Sequence, residues 1–366
     1  MERPVILSKT HMDLIDKAIL KYKHIPKKIH GSVSFCAQAN NKPVLDFSSS
    51  CLEIKFEETV TSFINSKNLN YYPDPDSSGL KKTLGGVLNI SDENILITNG
   101  SSEAIFLIGL AFCSKNSTVL IPEITYSEYE RVANIFFSNI KKIPLKESEN
   151  FAVSIKIMEE ALKSKPDIVF LCNPNNPTGH YMDNAVTELF KRHPETLFVL
   201  DEAYIDFVEQ PWLSFKSLSY ENVIILRSFT KALGLAGLRL GYLAAPTKII
   251  RLLDHLKVPW NVNYPAAGMG NYIIKNPGIF KKEIKQYIEG KELLLNYFKK
   301  SYFAIPSQTN YFLLKVKDSK MLYQKFLENN ILIRECSSFG LKNYVRINAR
   351  KVHDCKKFLK VFEKIS

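Results

Sequence analysis

Six short apolar runs, separated by stretches of helical character, constrain this chain more than any other feature. They fall at 95–98, 117–121, 168–172, 197–200, 223–226 and 240–244, within a strand–helix alternation that runs from about residue 44 to 250. A run such as Leu197-Phe198-Val199-Leu200 is apolar throughout, as strands covered on both faces are. Strands alternating with helices predict an α/β fold with a mostly parallel sheet and helices on both faces. After Pro259 the pattern changes. A long charged helix is expected over about 275–299, and Tyr311–Leu314 and Tyr344–Ile347 read as strands of a smaller antiparallel sheet. With 366 residues, two lobes are expected.

In open α/β sheets ligands bind beyond the carboxyl ends of the strands, so the residues that follow each run carry the chemistry. Asn94–Thr98 leads into Asn99-Gly100-Ser101-Ser102 and then an apolar helix through Phe112. Exposed N–H groups at such a helix start form an anion site, although Ser101 and Ser102 would cap the helix without any ligand. Asp167–Cys172 leads into Asn173-Pro174-Asn175-Asn176-Pro177-Thr178-Gly179, whose prolines and glycine dictate a rigid turn able to present an amide to a planar ligand. Leu197–Leu200 delivers Asp201, followed by Glu202-Ala203-Tyr204. Val223–Leu226 leads to Ser228-Phe229-Thr230-Lys231, with Arg239 eight residues beyond the lysine.

Each segment has an ordinary reading as a cap, a turn or a solvated loop. Together they suit one ligand. A lysine amine attacks a carbonyl to give a Schiff base, and pyridoxal phosphate (PLP) is the usual partner in such sites. A carboxylate such as Asp201 can pair with the protonated pyridine nitrogen and keep the ring an electron acceptor. No GxGxxG or GxxxxGK[ST] string competes for the glycine-containing loop.

These strings, in this order and spacing, closely resemble the fold-type I PLP enzymes of the class I/II aminotransferase superfamily, over about His30 to Arg346. The resemblance implies a PLP-transferase-like large domain with a mostly parallel seven-stranded sheet, over 40–255. A smaller α+β domain would comprise 1–39 and 256–366. It implies Lys231 as the Schiff-base lysine, Asp201 as the partner of the ring nitrogen, and Asn176 and Tyr204 at the phenolic oxygen. Ser101, Ser102, Ser228, Thr230 and Arg239 would form the phosphate cup. Tyr126, in PEITYSEY, matches the aromatic residue stacked on the ring. Tyr72, in NYYPDPDSSGLKK, matches a tyrosine that reaches the phosphate of the neighbouring subunit, which implies a homodimer with shared active sites.

The cofactor weakens all three bonds that can break at the substrate Cα, so its own marks do not choose the reaction; substrate-orienting cations do. Arg346, in NYVRINAR, sits where the superfamily binds the α-carboxylate. Arg334, in ILIRECSSF, is placed like the arginine used for a distal phosphate. The subfamilies that fit are threonine-phosphate decarboxylase of cobalamin biosynthesis and histidinol-phosphate aminotransferase. Three segments point to the first: IRECSSF, VPWNVN (Val258–Asn263), and His30-Gly31, where His30 would bring a donor to the substrate phosphate. The expectation is therefore decarboxylation of O-phospho-L-threonine or O-phospho-L-serine, with the aminotransferase as the alternative. One departure stands out: Ser49-Ser50-Cys51-Leu52-Glu53 replaces the usual Asn-x-Asn-Pro-x-Gly element. A PLP-binding regulator would need an amino-terminal DNA-binding domain, for which the first 30 residues leave no room.

Composition narrows the partners. The net charge of +12 comes from lysines spread along the chain without an arginine-rich arm, so no nucleic-acid partner is expected. No run of 18 apolar residues is present, and no membrane partner is expected. The amino terminus has no apolar signal core, and six cysteines lack CxxC spacing. A cytoplasmic location, reduced thiols and no metal site follow as expectations.

Overall fold

The computed structural model describes residues 9–25, 44–56, 62–63 and 67–365. Among the described residues, twelve strands form two sheets. In chain order they are β1 (Leu45–Phe47), β2 (Ile95–Thr98), β3 (Thr118–Pro122), β4 (Asn139–Ile143), β5 (Ile168–Cys172), β6 (Leu197–Asp201), β7 (Val223–Ser228), β8 (Gly241–Ala244), β9 (Ala304–Ile305), β10 (Tyr311–Lys315), β11 (Ile331–Glu335) and β12 (Tyr344–Asn348).

The larger sheet has seven strands in the order β2-β8-β7-β6-β5-β3-β4, and β8 alone runs antiparallel to its neighbours. Its strands are buried on both faces, which is why they read as continuous apolar runs. Ile168 and Phe170 of β5 join one core with Ala104, Ile108 and Val132 from helices on that side. Val169 and Leu171 join the opposite core with Met158, Leu162, Leu189 and Phe190. Strand β4, Asn-Ile-Lys-Lys-Ile, was not legible in the sequence. It pairs with β3 on one side, lies at the sheet edge and is half exposed, and lysines are suited to guarding such an outer edge.

The second sheet has the order β1-β11-β12-β10-β9. It pairs antiparallel except for β1, which lies parallel to β11. Its core packs Phe312, Ile333 and Ile347 against Leu294, Phe298, Phe326 and Phe358. The 21-residue helix Gly278–Phe298 serves both lobes: Tyr287 packs in the core of the first sheet, Leu294 and Phe298 in that of the second. At 1.5 Å per residue it is roughly 30 Å long, enough to span the junction. Further contacts tie the lobes. The Arg350 Nη1 donates to Glu53 Oε1 at 2.6 Å, and the Gln308 N–H donates to the Gly179 carbonyl at 3.0 Å. Among the described residues, no helix is long and apolar enough to cross a membrane.

Candidate active site

A cavity of about 360 Å³ opens where β5, β6 and β7 end, between the two sheets. Lys231, Asp201, Tyr204, Asn176, Tyr126, Ser101, Ser102, Thr230, Arg239, Arg334 and Arg346 all line it. A neighbouring hollow of about 490 Å³ shares Tyr126, Ser127, Ser338 and Phe339 with it, but holds neither the lysine, the aspartate nor the arginines. The chemistry belongs to the first.

Asp201 is the last residue of β6 and is 2% exposed. Burial pushes its carboxyl above the ordinary range; the Tyr129 hydroxyl, donating to Oδ2 at 2.7 Å, and the Ala203 N–H, donating to Oδ1 at 3.0 Å, act in the opposite direction. Lys231 follows β7, with its Nζ 5.8 Å from the centre of the Tyr204 ring. Tyr204 and then Cys51 hold the ammonium above its usual value, against desolvation. The Tyr204 hydroxyl shares a 3.0 Å hydrogen bond with Ser50 Oγ, and its ring meets Tyr311 edge-on at 5.2 Å. Ser49, Ser50 and Cys51 of the divergent segment, with Ser48 before them, therefore form part of the cavity wall.

The loop after β5 presents a single amide to the cavity. Asn173 is occupied by Met182, donating to its carbonyl and accepting from its N–H, and Asn175 by the Ile124 carbonyl and the Thr125 hydroxyl. Asn176 remains at the wall, where its Oδ1 accepts from Arg346 Nη1.

The oxyanion cradle is visible in its glycines. Gly100 has φ +74°, and a Cβ there would stand 2.8 Å from Arg239 Nη2. A Cβ on Gly241 would stand 2.7 Å from the Ser101 nitrogen. Only glycine lets the guanidinium and the amino-terminal end of helix Gly100–Phe112 come this close, leaving a concave cationic surface suited to a phosphate. Contrary to the capping reading, Ser101 and Ser102 lie inside the first turn, and the residue before the helix is Asn99. Thr230 faces the cavity, while Ser228 is buried beneath it, their hydroxyls 2.8 Å apart.

Arg334 and Arg346 are directly opposed on β11 and β12. Arg346 is buried, donates through Nη2 to the Ser48 carbonyl at 2.9 Å, and lies 4.9 Å over the Tyr311 ring; among the described residues its Nε has no partner. Arg334 donates to Ser338 Oγ at 2.7 Å and lies over Phe339. Burial and then Arg346 lower its pKa. Among the described residues neither guanidinium has a carboxylate within 4 Å, so both remain available to an anionic ligand.

Two predicted residues stand apart. Tyr72 is 81% exposed and packs on Trp260 at 4.6 Å, away from this cavity. His30 lies outside the described residues. Sequence reasoning missed Tyr129, Ser50 and Tyr311. The pair Tyr126-x-x-Tyr129, one helical turn apart, was the available sign for the first.

Fold and site together define a pyridoxal-phosphate enzyme built on a mostly parallel seven-stranded α/β sheet. The chain belongs to the class I and II aminotransferase family, whose model matches residues 42–362. It is 34% identical over 304 residues to a histidinol-phosphate aminotransferase of Hydrogenobaculum sp. (strain Y04AAS1), covering 82% of this chain and 85% of the relative. Among solved structures it is similar to L-threonine-O-3-phosphate decarboxylase from Porphyromonas gingivalis (28% identity, TM-score 0.79, 88% of this chain and 99% of that one). It is likewise similar to histidinol-phosphate aminotransferase from Clostridium acetobutylicum (25%, TM-score 0.81, 88% and 99%).

These findings correct the expected reaction. Curated relatives at 31–34% identity are histidinol-phosphate aminotransferases, whereas the decarboxylase is a structural neighbour at 28%. Part of the physical reason lies in one of the three segments used to choose. In VPWNVN, Trp260 packs on Tyr72, Asn261 donates to Glu103 and to the Ile97 carbonyl, and Asn263 caps helix Tyr264–Lys275. Those residues support the framework and none of them lines the cavity, so they do not choose which bond breaks at Cα.

Proposed function

We propose that this enzyme is a histidinol-phosphate aminotransferase, exchanging the substrate amine with a keto acid such as 2-oxoglutarate. What carries this reading is the identity of 31–34% to aminotransferases of that name over about four-fifths of the chain. The paired arginines support it, because both reactants are anionic: one bears a phosphate, the other two carboxylates. Arg346 and Arg334 would seat these oxyanions in turn, the planar fork of Arg346 already oriented by Asn176 and the Ser48 carbonyl.

Lys231 would hold the cofactor aldehyde, Asp201 its ring nitrogen, Asn176 and Tyr204 its phenolic oxygen, and Tyr126 its ring face. Ser101, Ser102, Thr230 and Arg239 would hold the phosphate, with Ser228 fixing the Thr230 hydroxyl. When bound, PLP supplies the electron sink that makes the Cα proton removable. Lys231 would be the base within the cavity that takes that proton, acting as the neutral amine, with the Tyr204 ring, fixed by Ser50, beside it. Tyr72 would complete the phosphate site of a second copy, in a homodimer.

The test is to incubate the PLP-loaded protein with L-histidinol phosphate and 2-oxoglutarate and measure glutamate. Glutamate formation that requires both reactants is expected. Its absence, with PLP demonstrably bound, would remove this reading.

A further inference from the structure

We propose that Tyr129 is a positioning residue for the cofactor's ring nitrogen, acting through Asp201. Tyr129 stands in the first turn of helix Glu128–Ile135 and is 0% exposed. Its ring is stacked on Phe170 of β5, centroids 5.1 Å apart and planes 9° from parallel, and it meets Tyr126 edge-on at 5.6 Å. The hydroxyl donates to Asp201 Oδ2 at 2.7 Å, with the Cys172 thiol also beside it.

The geometry has a purpose only if Asp201 is used as an anion. An ionised carboxylate accepts about four hydrogen bonds. Two neutral donors, one on each oxygen, hold Asp201 while leaving lone pairs toward the cavity it lines. Among the described residues no cationic side chain forms an ion pair with it, and Lys231 acts on it only at longer range, so the charge remains for a protonated ring nitrogen. Burial penalises that charge, and a charge-assisted bond from a fixed phenol is the means by which the fold offsets the penalty. The same ring braces Tyr126, so one side chain organises both the face and the nitrogen of the expected ring.

The proposal rests on the assignment of Asp201 to the ring nitrogen and is independent of the substrate. Its test measures PLP affinity of the full-length apoprotein for the parent, Tyr129→Phe, Tyr129→His, Asp201→Asn and the Tyr129→Phe/Asp201→Asn double variant. Tyr129→Phe should weaken PLP about tenfold, as loss of one hydrogen bond to a charged group does, and should add nothing once Asp201 is Asn. Tyr129→His, which keeps a donor, should stay within about threefold of the parent, and this arm decides alone if the Phe variant does not fold. Parental affinity in Tyr129→Phe, an equal loss in both backgrounds, or an equal loss in the Phe and His variants would each reduce Tyr129 to packing. Unchanged affinity in Asp201→Asn would instead remove the Asp201 assignment, and this proposal with it. Neither result touches the aminotransferase reading.

Discussion

Arg346 shows how a side chain acquires a role from what surrounds it. Its guanidinium spends one arm on Asn176 and one on the Ser48 carbonyl, packs over Tyr311, and keeps Nε buried without a partner among the described residues. A planar fork held on three sides is pre-oriented for a carboxylate or phosphate, which a lysine ammonium is not. We therefore expect Arg346→Lys to raise the KM for both anionic reactants by about tenfold or more, one bidentate contact being worth on the order of 1.5–3 kcal/mol. Steady-state kinetics with each reactant varied in turn checks this, and an unchanged KM for both would show that the anions bind elsewhere. That an arginine stood at 346 was plain in NYVRINAR. That Ser48 and Asn176 aim it was not, because these partners lie 298 and 170 residues away in sequence.

At the scale of elements, helix Gly278–Phe298 joins the two lobes, and its closest approach occurs at Gly290. A Cβ there would stand 1.9 Å from the Arg350 carbonyl oxygen and 3.0 Å from Cys355 Sγ. Alanine gains about 1 kcal/mol of helix propensity over glycine. The overlap is with backbone, which cannot turn aside, and overpacking costs typically about 1–3 kcal/mol or more. Gly290→Ala should therefore lower the denaturant midpoint with little change in slope; a raised midpoint would mean that the carboxyl-terminal helix Val352–Ile365 shifts without penalty. The apolar core strands were readable because burial on both faces leaves a continuous signature, as in Ile168–Cys172. Strand β4 was not, since an edge strand carries polar residues and loses that signature.

On the scale of the whole molecule, the cavity belongs to both sheets. Asp201, Lys231, Arg239 and the helix beginning at Gly100 come from the seven-stranded side; Arg334 and Arg346 come from the five-stranded side. A ligand that binds the folded chain alone stabilises it by mass action. Removing PLP should lower the thermal midpoint, and re-adding it at about a thousandfold excess over Kd should restore about 4 kcal/mol of stability by mass action. Calorimetry of the apoprotein across a PLP titration measures this, and a midpoint insensitive to PLP would count against cofactor binding in this cavity. The amino-acid sequence by itself determined the α/β class and the cofactor, and it singled out Lys231, Asp201, Tyr204 and Asn176, which line the cavity, because each sits within a few positions of the end of an apolar strand. Only the tertiary structure decided that Tyr129 serves Asp201, that Ser50 holds Tyr204, and that the Trp260 segment supports the framework and lines no part of the cavity. Those relations join residues distant along the chain, and a contact made by folding leaves no local pattern from which to read it.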